Sequence, residues 1–383
     1  MVATLFMKIA FISLMSASPW GGSEDLWYKS AKLALSQGHQ VYSVTQRWDA
    51  VPTRIAELKQ AGATTTFYYS QSTSLAARIG RRLKLIPDIA IVVPVVDADA
   101  YIISSGTTWS FLYSRLITDQ FIKPGKPYVL ISQHNFENGG IVPNKDRAYT
   151  REVIRNAAEF FFVAQRNLEV AERQLASFIT KFRIISNPLN TKRKSAAPYP
   201  HATTLQMACV ARLLCAAKGQ DILLQALSEP QWATRDYRLE LYGTGPDHDY
   251  LQALIDLYKL QDKVTLKGHV SDIDQIWAQN QVMVLPSLNE GTSLSLLEAM
   301  MAGRAVLATD VGDTDRYVCT GDTGILVDAA SVKCLSAGLE ALWNTRGRLE
   351  EMGQSAFRHA AAITDFNPEK TLLDFIETLR KDD

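Results

Sequence analysis

Short apolar runs alternate with longer amphipathic stretches along most of this chain. Residues 7–14, 41–45 and 128–132 are apolar and rich in β-branched or aromatic side chains, as buried strands are. A helical pattern covers residues 25–37 and stops at Gly38, a residue type favoured just beyond a helix. Strand, helix and strand in succession predict βαβ units with a parallel sheet.

The same alternation restarts in the second half of the chain. Residues 205–210, 239–242, 282–286 and 305–309 predict strands, and residues 221–227 and 369–380 predict helices. Between the halves, residues 191–204 hold three basic residues, three alanines and two prolines without an apolar period, which is typical of a linker. We predict an α/β protein of two doubly wound parallel-sheet domains, residues 1–190 and 205–364, joined by linker 191–204. Residues 365–383 are expected to form a helix that packs back onto the first domain.

The amino-acid composition is consistent with two domains and limits the classes of molecule that the protein is expected to bind. A chain of 383 residues with 47% hydrophobic residues can bury two cores. Forty basic residues balance forty acidic ones, whereas a nucleic-acid binder is expected to be basic. The four cysteines lack metal-site spacing, which favours a reducing compartment, and residues 9–14 are too short to be a signal peptide or a membrane span. We therefore expect a cytoplasmic protein.

One basic amphipathic stretch leaves two interpretations open. Arg78, Arg81, Arg82 and Lys84 are interleaved with leucine and isoleucine. They form either a solvated helix face or a peripheral contact with an anionic membrane surface, which would be the inner face of the membrane.

The richest candidate chemistry follows the predicted strand at residues 282–286. Glu290 stands on a glycine-containing loop, and Glu298 lies inside a helical pattern that ends at Gly303. A helix start directs free backbone N–H groups at the loop before it, which favours oxygen-rich ligands. Each carboxylate can accept hydrogen bonds from a pair of hydroxyls, such as those of a sugar or a ribose. The alternative is two exposed glutamates.

Three more features lie just past predicted strands. Gly21 and Gly22 open a helix and would let a backbone approach an anion, or form an ordinary βα turn. Arg212 and Lys218 could clamp a diphosphate, or be an unrelated pair of basic residues. His134 follows residues 128–132 where open α/β sheets bind ligands, or lies in a surface loop.

The E-x7-E spacing of Glu290 and Glu298 resembles the signature of retaining GT-B glycosyltransferases of the GT4-like group. The Gly-Gly loop, His134, the Arg-Leu-x4-Lys-Gly run from Arg212 and the turn at residues 243–246 occur in the family order. The resemblance implies two Rossmann-like domains facing across a cleft. The chain departs from it by reading Glu-Gly-Thr-Ser-Leu-Ser where Glu-Gly-Phe-Gly-Leu-Pro is common, which touches the donor-sugar pocket.

The resemblance also implies roles for individual residues. Glu298 would bind the nucleotide ribose. His134 would lie near the donor sugar and Glu290 would hold that sugar, so His134 and Glu290 are the catalytic candidates. The other implied donor-binding residues are Gly21, Gly22, Arg212, Lys218, Gly245, Val270, Gly291, Thr292, Ser293 and Leu294. No acidic metal motif is present, so we expect no metal and no cofactor beyond the nucleotide-sugar co-substrate.

These features together predict a retaining glycosyltransferase. It would move a sugar from a nucleotide-diphosphate sugar to a hydroxyl acceptor, which is a glycan, a glycolipid or a small molecule, in bacterial surface polysaccharide or glycolipid synthesis. The enzyme alternatives are a GT-B sugar-nucleotide 2-epimerase and a phosphorylase. The non-enzyme alternative is a protein that binds a nucleotide sugar without turnover.

Overall fold

The computed structural model describes residues 6–16, 18–68, 96–123, 125–191 and 193–380. The chain divides into two compact units. Unit 1 comprises Met1–Pro188 and Asn367–Asp383, and unit 2 comprises Leu189–Phe366. The basic stretch with Arg78, Arg81, Arg82 and Lys84 lies outside the described residues. Within the described ranges, none of the helices is both long and apolar enough to cross a membrane.

Unit 1 contains a seven-stranded, wholly parallel sheet in the order β3-β2-β1-β4-β5-β6-β7. Its strands are β1 (Lys8–Ser13), β2 (Gln40–Gln46), β3 (Thr64–Tyr68), β4 (Ala100–Ser105), β5 (Tyr128–Ser132), β6 (Glu159–Phe162) and β7 (Phe182–Ile184). Its helices are α1 (Asp25–Ser36), α2 (Thr53–Gln60), α3 (Ser110–Tyr113), α4 (Arg115–Phe121), α5 (Asn144–Asn156), α6 (Gln165–Leu175) and, after unit 2, α16 (Pro368–Thr378).

Apolar clusters cover both faces of this sheet. On one face, Ile9 and Phe11 pack with Trp27 of α1 and with Leu372 of α16, all of them fully or almost fully buried. Helices α1 and α16 contact each other, and His39 Nε2 lies 3.0 Å from Glu377 Oε1. The last helix of the chain is therefore part of unit 1.

Unit 2 repeats the design with a six-stranded parallel sheet in the order β10-β9-β8-β11-β12-β13. Its strands are β8 (Leu205–Val210), β9 (Tyr237–Tyr242), β10 (Val264–Gly268), β11 (Val282–Leu285), β12 (Ala305–Thr309) and β13 (Gly324–Val327). Its helices are α7 (Cys215–Lys218), α8 (Gln220–Leu227), α9 (Pro230–Ala233), α10 (His248–Leu257), α11 (Ile273–Gln279), α12 (Leu294–Met301), α13 (Thr314–Tyr317), α14 (Val332–Thr345) and α15 (Leu349–Ile363).

Each sheet reverses its strand order once, between β1 and β4 in unit 1 and between β8 and β11 in unit 2. The segments that leave the two central strands diverge to opposite faces of the sheet, which opens a crevice at the carboxyl ends of the strands. The α/β class and the two Rossmann-like sheets agree with the prediction. Both reversal points lie next to loops that the sequence marked as candidate sites.

The segment predicted as a linker packs onto unit 2. Its described residues hold no helix or strand. Arg304, which is 0% exposed, donates hydrogen bonds to the carbonyl oxygens of Ala197 and Pro198 and to those of Trp277 and Asn280. Burial lowers the pKa of the Arg304 guanidinium to about 10. This many carbonyl contacts compensate a buried charge and hold the connecting segment to the unit.

Candidate functional site

The site of unit 2 begins at the pair of central strands β8 and β11, where Met207 is the register partner of Val282. The chain that leaves β8 carries Lys218 at the end of α7, and the loop that leaves β11 carries Glu290. Lys218 Nζ lies 2.5 Å from Glu290 Oε1, and the Ser287 hydroxyl donates to the same oxygen at 2.8 Å. The structure thus brings together the two residues predicted to hold the diphosphate and the donor sugar.

Backbone contacts fix the two loops against each other. The amides of Leu288 and Asn289 donate to the Ala217 carbonyl at 2.9 and 3.2 Å. Gly219 has a φ of +62°, and a Cβ at this position would lie 2.2 Å from the Pro286 carbonyl oxygen. Only glycine fits there without a shift of the backbone, so the distance between Lys218 and Glu290 is set by the fold.

The ion pair is largely removed from water, since the side chains of Lys218 and Glu290 are 22% and 9% exposed. Removing one partner of such a pair leaves the other as an uncompensated charge. An incoming diphosphate would compete with Glu290 for the Lys218 ammonium, which would free the carboxylate for hydroxyl donors. The pair can therefore exchange an internal contact for two contacts with a ligand.

Arg212 supplies a second cation on the loop after β8. Its side chain is exposed and has no hydrogen bond or ion pair within the described part of the chain. Its carbonyl accepts from Gln220 Nε2 at 2.9 Å, so the backbone beneath the guanidinium is fixed. A planar guanidinium in this position suits the oxygen atoms of a phosphate.

The loop before α12 is held by the turn after β12. A Cβ at Gly312, whose φ is +61°, would lie 2.0 Å from the Gly291 carbonyl oxygen, and the Asp313 amide donates to that oxygen at 3.3 Å. The Thr292 hydroxyl donates to Asp313 Oδ2 at 2.7 Å. Burial raises the pKa of Asp313 to about 7. Sequence reasoning did not identify Asp313 as a partner of Thr292, since nothing in the local pattern links positions 21 residues apart.

Helix α12 starts directly after this loop. Ser293 is the N-cap without a side-chain capping bond, and Leu294 is the first helical residue. The first-turn amides of a helix have no partner within the helix. The residues predicted to hold the donor sugar therefore end at a set of N–H donors, next to the carboxylate of Glu290.

Glu298 occupies the second turn of α12 and is buried. Burial raises the pKa of its carboxyl to about 7, and a hydrogen bond with the Asn190 side chain opposes that rise. Ribose hydroxyls that donate to this carboxylate would favour its ionised form. The sequence did not identify Asn190, because it lies more than a hundred residues away, in the segment that enters unit 2.

Gly245 and Val270 frame the same region of unit 2. A Cβ at Gly245 would lie 2.1 Å from the Leu213 carbonyl oxygen, and the Leu213 amide donates to Thr244 O at 3.0 Å. The glycine turn after β9 therefore lies directly on the loop that carries Arg212. Val270 is half-buried against the apolar cluster that includes Trp277.

Gly21, Gly22 and His134 belong to unit 1. Gly22 begins a 3₁₀ turn, and a Cβ at Gly21 would meet nothing nearer than the Ser23 hydroxyl at 3.7 Å, so packing inside the chain does not require glycine at position 21. His134 follows β5, is half-buried, and its ring lies 4.5 Å from that of Phe136. Its carbonyl accepts from the Thr108 amide at 2.9 Å.

Glu24 is a buried carboxylate that the sequence analysis did not select. It ends the 3₁₀ turn after Gly21 and Gly22 and is 3% exposed. Its Oε2 accepts from the Ser13 hydroxyl at 2.5 Å and from Trp27 Nε1 at 2.9 Å. Burial raises its pKa to about 7. Its position two residues after the paired glycines was the only available signal.

Parts of this chain resemble known proteins. Residues 204–345 match the family model described as "Glycosyl transferases group 1". The GtfA subunit of the UDP-N-acetylglucosamine–peptide N-acetylglucosaminyltransferase of Streptococcus gordonii is 26% identical over 234 residues, which cover 58% of this chain and 46% of that protein. The lipopolysaccharide core biosynthesis mannosyltransferase LpcC of Rhizobium leguminosarum is 30% identical over 151 residues, 38% of this chain and 43% of that protein. The chain thus spans less than half the length of these curated relatives.

Solved structures match over nearly the whole chain. Anabaena Alr3699/HepE, crystallised with UDP and glucose, superposes with a TM-score of 0.68 at 18% identity and covers 97% of this chain and 100% of that chain. At this identity the likeness establishes the fold. The chain therefore has the GT-B fold, and its residues 204–345 are a glycosyl transferases group 1 domain.

Proposed function

We propose that this protein is a retaining glycosyltransferase that moves a sugar from a nucleotide-diphosphate sugar to a hydroxyl acceptor, in bacterial surface polysaccharide or glycolipid synthesis. The observation that carries the proposal is the contact of Lys218 with Glu290 at the strand reversal of a glycosyl transferases group 1 domain. A cation for phosphate and a carboxylate for hydroxyls within one contact match the two halves of a nucleotide sugar.

The proposed reaction exchanges one bond at the anomeric carbon. The bond from this carbon to the diphosphate oxygen breaks, and its electron pair leaves with the diphosphate. The acceptor oxygen bonds to the same carbon from the leaving-group face, and its proton passes to the departing diphosphate oxygen. Arg212, Lys218 and the first-turn amides of α12 would neutralise the developing charge, and each such group typically contributes on the order of 3 kcal/mol to lowering the barrier.

The remaining assignments follow the same resemblance. Glu298 would orient the ribose and Glu290 would hold the donor sugar, while His134 would position the reacting groups. We propose that no metal is needed, in keeping with the two basic side chains. The described residues contain no group of three histidine, cysteine or acidic side chains suited to hold one. We also propose that the protein is cytoplasmic and that its acceptor is a glycan, a glycolipid or a small molecule.

A nucleotide panel tests the donor site. UDP, GDP, ADP and dTDP are added to wild type and to Glu298→Ala, and thermal unfolding is recorded. A nucleotide at 100 times its dissociation constant stabilises a protein by about 2.7 kcal/mol, so one of the four should raise the unfolding temperature of wild type only. Glu340→Gln serves as the control, because it breaks the ion pair with Arg235, which precedes β9 at the opposite edge of the sheet.

The pH dependence of that binding sharpens the test. Glu298 has a pKa near 7 before binding, and ribose hydroxyls stabilise its ionised form. Affinity for the nucleotide should therefore rise as pH increases through 7 and then level off, and any residual binding by Glu298→Gln, whose side chain does not titrate, should lack this dependence on residue 298. A flat wild-type profile would remove Glu298 from the ribose site.

Transfer itself separates the alternatives. The matching nucleotide sugar is incubated with glycoside acceptors, and the products are followed by proton NMR, which reports the anomeric configuration. A new glycoside with the configuration of the donor supports the proposal. Epimerised nucleotide sugar without an acceptor, or binding without any turnover, would favour the alternatives instead.

A further inference from the structure

The end of β12 and the turn after it hold the loop at residues 287–293 at both of its ends. At one end, the Thr309 hydroxyl donates to the Ser287 carbonyl oxygen at 2.5 Å. At the other end, Asp313 Oδ2 accepts from the Thr292 hydroxyl at 2.7 Å. The conformation of the loop is therefore set by residues that lie 21 and 22 positions later in the chain.

Backbone packing brings Asp313 this close to the loop. Gly312 has a φ of +61°, and a Cβ there would lie 2.0 Å from the Gly291 carbonyl oxygen and 3.0 Å from the Glu290 carbonyl oxygen. The Asp313 amide donates to the same Gly291 oxygen at 3.3 Å. Since only glycine permits this close approach, the Asp313 carboxylate meets Thr292 at a position that the fold determines.

The Asp313 carboxylate serves the loop and not the helix that it precedes. Asp313 is the N-cap of α13, a position at which an aspartate usually accepts from an amide of the first helical turn. Here the side chain makes no capping bond and accepts from Thr292 instead. The contact with the loop therefore takes the place of the ordinary structural role of this residue type.

Keeping this carboxylate buried opposes folding in the pH range where it is ionised. Asp313 and Thr292 are 7% and 8% exposed, and burial raises the pKa of Asp313 to about 7. A pair of apolar side chains could fill the same space without that cost. Strongly perturbed carboxyl groups concentrate at functional sites, because function retains groups that stability alone would not.

Thr292 lies between the two groups proposed to hold the donor sugar. Glu290 precedes it by two residues, and α12 begins two residues after it, at Leu294. The first-turn amides of α12 have no partner within the helix. A threonine that is fixed by Asp313 therefore fixes the spacing between the Glu290 carboxylate and these amides.

We propose that Asp313 is a positioning residue for the donor sugar: by accepting from Thr292, it holds Glu290 and the first-turn amides of α12 at the spacing that the sugar requires. This inference rests on the proposed function. Asp313 acts through Thr292 and does not itself touch the substrate. Its loss should impair use of the sugar half of the donor, whereas the nucleotide half, assigned to Glu298 and Arg212, should bind as before.

Measurements on the full chain separate the two halves of the donor. Calorimetry gives the dissociation constants of UDP, GDP, ADP and dTDP. Nucleotide release from UDP-glucose, UDP-N-acetylglucosamine, GDP-mannose, ADP-glucose and dTDP-glucose, with methyl glycosides as acceptors, gives kcat/KM. Asp313→Leu and Thr292→Val should each lower kcat/KM by at least about tenfold, as expected for loss of a hydrogen bond to a charged acceptor. The dissociation constant of the nucleotide should change far less, and equal losses in both constants would overturn the inference.

Two further variants show whether the contact itself is responsible. Thr292→Val/Asp313→Leu removes the same contact from both sides, so its kcat/KM should match that of the single variants, whereas independent losses would multiply. Asp313→Asn keeps an oxygen that can accept from Thr292 and should recover most of the lost kcat/KM. Multiplied losses, or an asparagine variant as poor as the leucine variant, would contradict a role exerted through Thr292.

Thr323 provides a matched structural control in unit 2. It is fully buried, and its hydroxyl donates to the Tyr317 carbonyl oxygen at 3.0 Å and accepts from the Cys319 amide at 2.8 Å. Thr323→Val should lower the unfolding temperature and leave kcat/KM unchanged at a temperature where all variants are folded. If Thr323→Val reduces kcat/KM as much as Thr292→Val does, the effect is one of stability and the inference is wrong.

The result for wild type separates this inference from the proposed function. Wild type that binds none of the nucleotides and consumes none of the nucleotide sugars contradicts both. Wild type that consumes one of them, with Asp313→Leu equally active, contradicts the inference alone and leaves the proposed function intact.

Discussion

At the carboxyl edge of the unit 2 sheet, Lys218, Glu290 and Ser287 are paired with one another, whereas at the same edge of unit 1 several buried polar atoms have no partner among the described residues. Lys218, Glu290 and Ser287 form a closed set, while Glu24, Thr45 and Gln46 leave oxygens unused. A closed set keeps its geometry without a ligand and must be opened to bind one. A buried polar atom without a hydrogen bond carries an energetic cost. Two sheets of one topology thus differ in how the polar side chains at their carboxyl edges are paired.

Opening the closed set of unit 2 should have the largest effect. Lys218→Met removes one of the two proposed cations, so turnover should fall by at least about 100-fold, which corresponds to about 3 kcal/mol. It also leaves Glu290 unpaired, at a stability cost below the roughly 3–5 kcal/mol of a fully buried pair, since Lys218 is 22% exposed. Turnover assays and urea unfolding measure the two effects.

The double variant Lys218→Met/Glu290→Gln is the control for that experiment. It leaves no unpaired charge, so stability should return while turnover stays low. Recovery of turnover in the double variant would show that the lysine acts on the fold and not on the leaving group.

The open set of unit 1 should impose a pH-dependent cost. Glu24 has a pKa of about 7 in the folded state against an ordinary value of 4.5. Between these values the native state binds more protons than the unfolded state, so stability falls as pH rises through this window. The total is about 3 kcal/mol. Urea unfolding of wild type and Glu24→Gln at pH 4.5 and pH 8 should show a fall that is smaller by this amount in the variant; parallel profiles would contradict the burial of an ionisable Glu24.

Backbone contacts at the unit 2 edge should make glycine indispensable there. Gly219→Ala places a Cβ against the Pro286 carbonyl at a positive φ, a strain that costs on the order of 1–3 kcal/mol. The thermal unfolding midpoint of unit 2 should fall accordingly. Gly347→Ala is the control in the same unit, because a Cβ at Gly347 meets nothing within 4 Å. Equal midpoints for the two variants would refute the close contact.

The glycine at the unit 1 edge should behave differently. Gly21→Ala introduces a Cβ with no contact closer than 3.7 Å, so the unfolding midpoint should stay within the error of wild type. If Gly21 admits donor phosphates as the resemblance implies, nucleotide-sugar turnover should nevertheless drop. A variant that is stable and fully active would leave this glycine without a role in binding.

Local patterns predicted most of the strands. Residues 128–132 were predicted as a strand and form β5, and residues 305–309 form β12. Strand β4 starts at Ala100, directly after Asp99, whose carboxylate accepts from the Lys8 amide at 2.8 Å. Strand β3, rich in threonine, and the single turn α7 were not predicted. Strand β3 is exposed or half-buried at its first four residues and so lacks an apolar run, and the single turn of α7 gives the hydrophobic period too few repeats.

Sequence spacing was sufficient to predict those candidate site residues that lie at fixed distances from predicted strands. Glu290, Glu298, Arg212 and Lys218 lie on loops and helices whose positions follow from the strand order. Their partners could not be predicted in the same way, because Asn190 and Asp313 meet the site through folding of distant segments. That the Thr45 hydroxyl has no hydrogen-bond partner among the described residues cannot be read from a sequence either, since it depends on the conformation of every neighbouring side chain.

The carbonyl cage around Arg304 affects how the chain can be recombined. Since this guanidinium holds Ala197 and Pro198, a chimera that exchanges residues 205–364 between two related proteins would separate an arginine from its ligands. A transplant of residues 189–366 keeps Arg304 and its carbonyl partners on one fragment. It leaves α16 with unit 1 of the recipient protein. Buried hydrogen bonds, more than the composition of the connecting segment, define where this protein can be cut and rejoined.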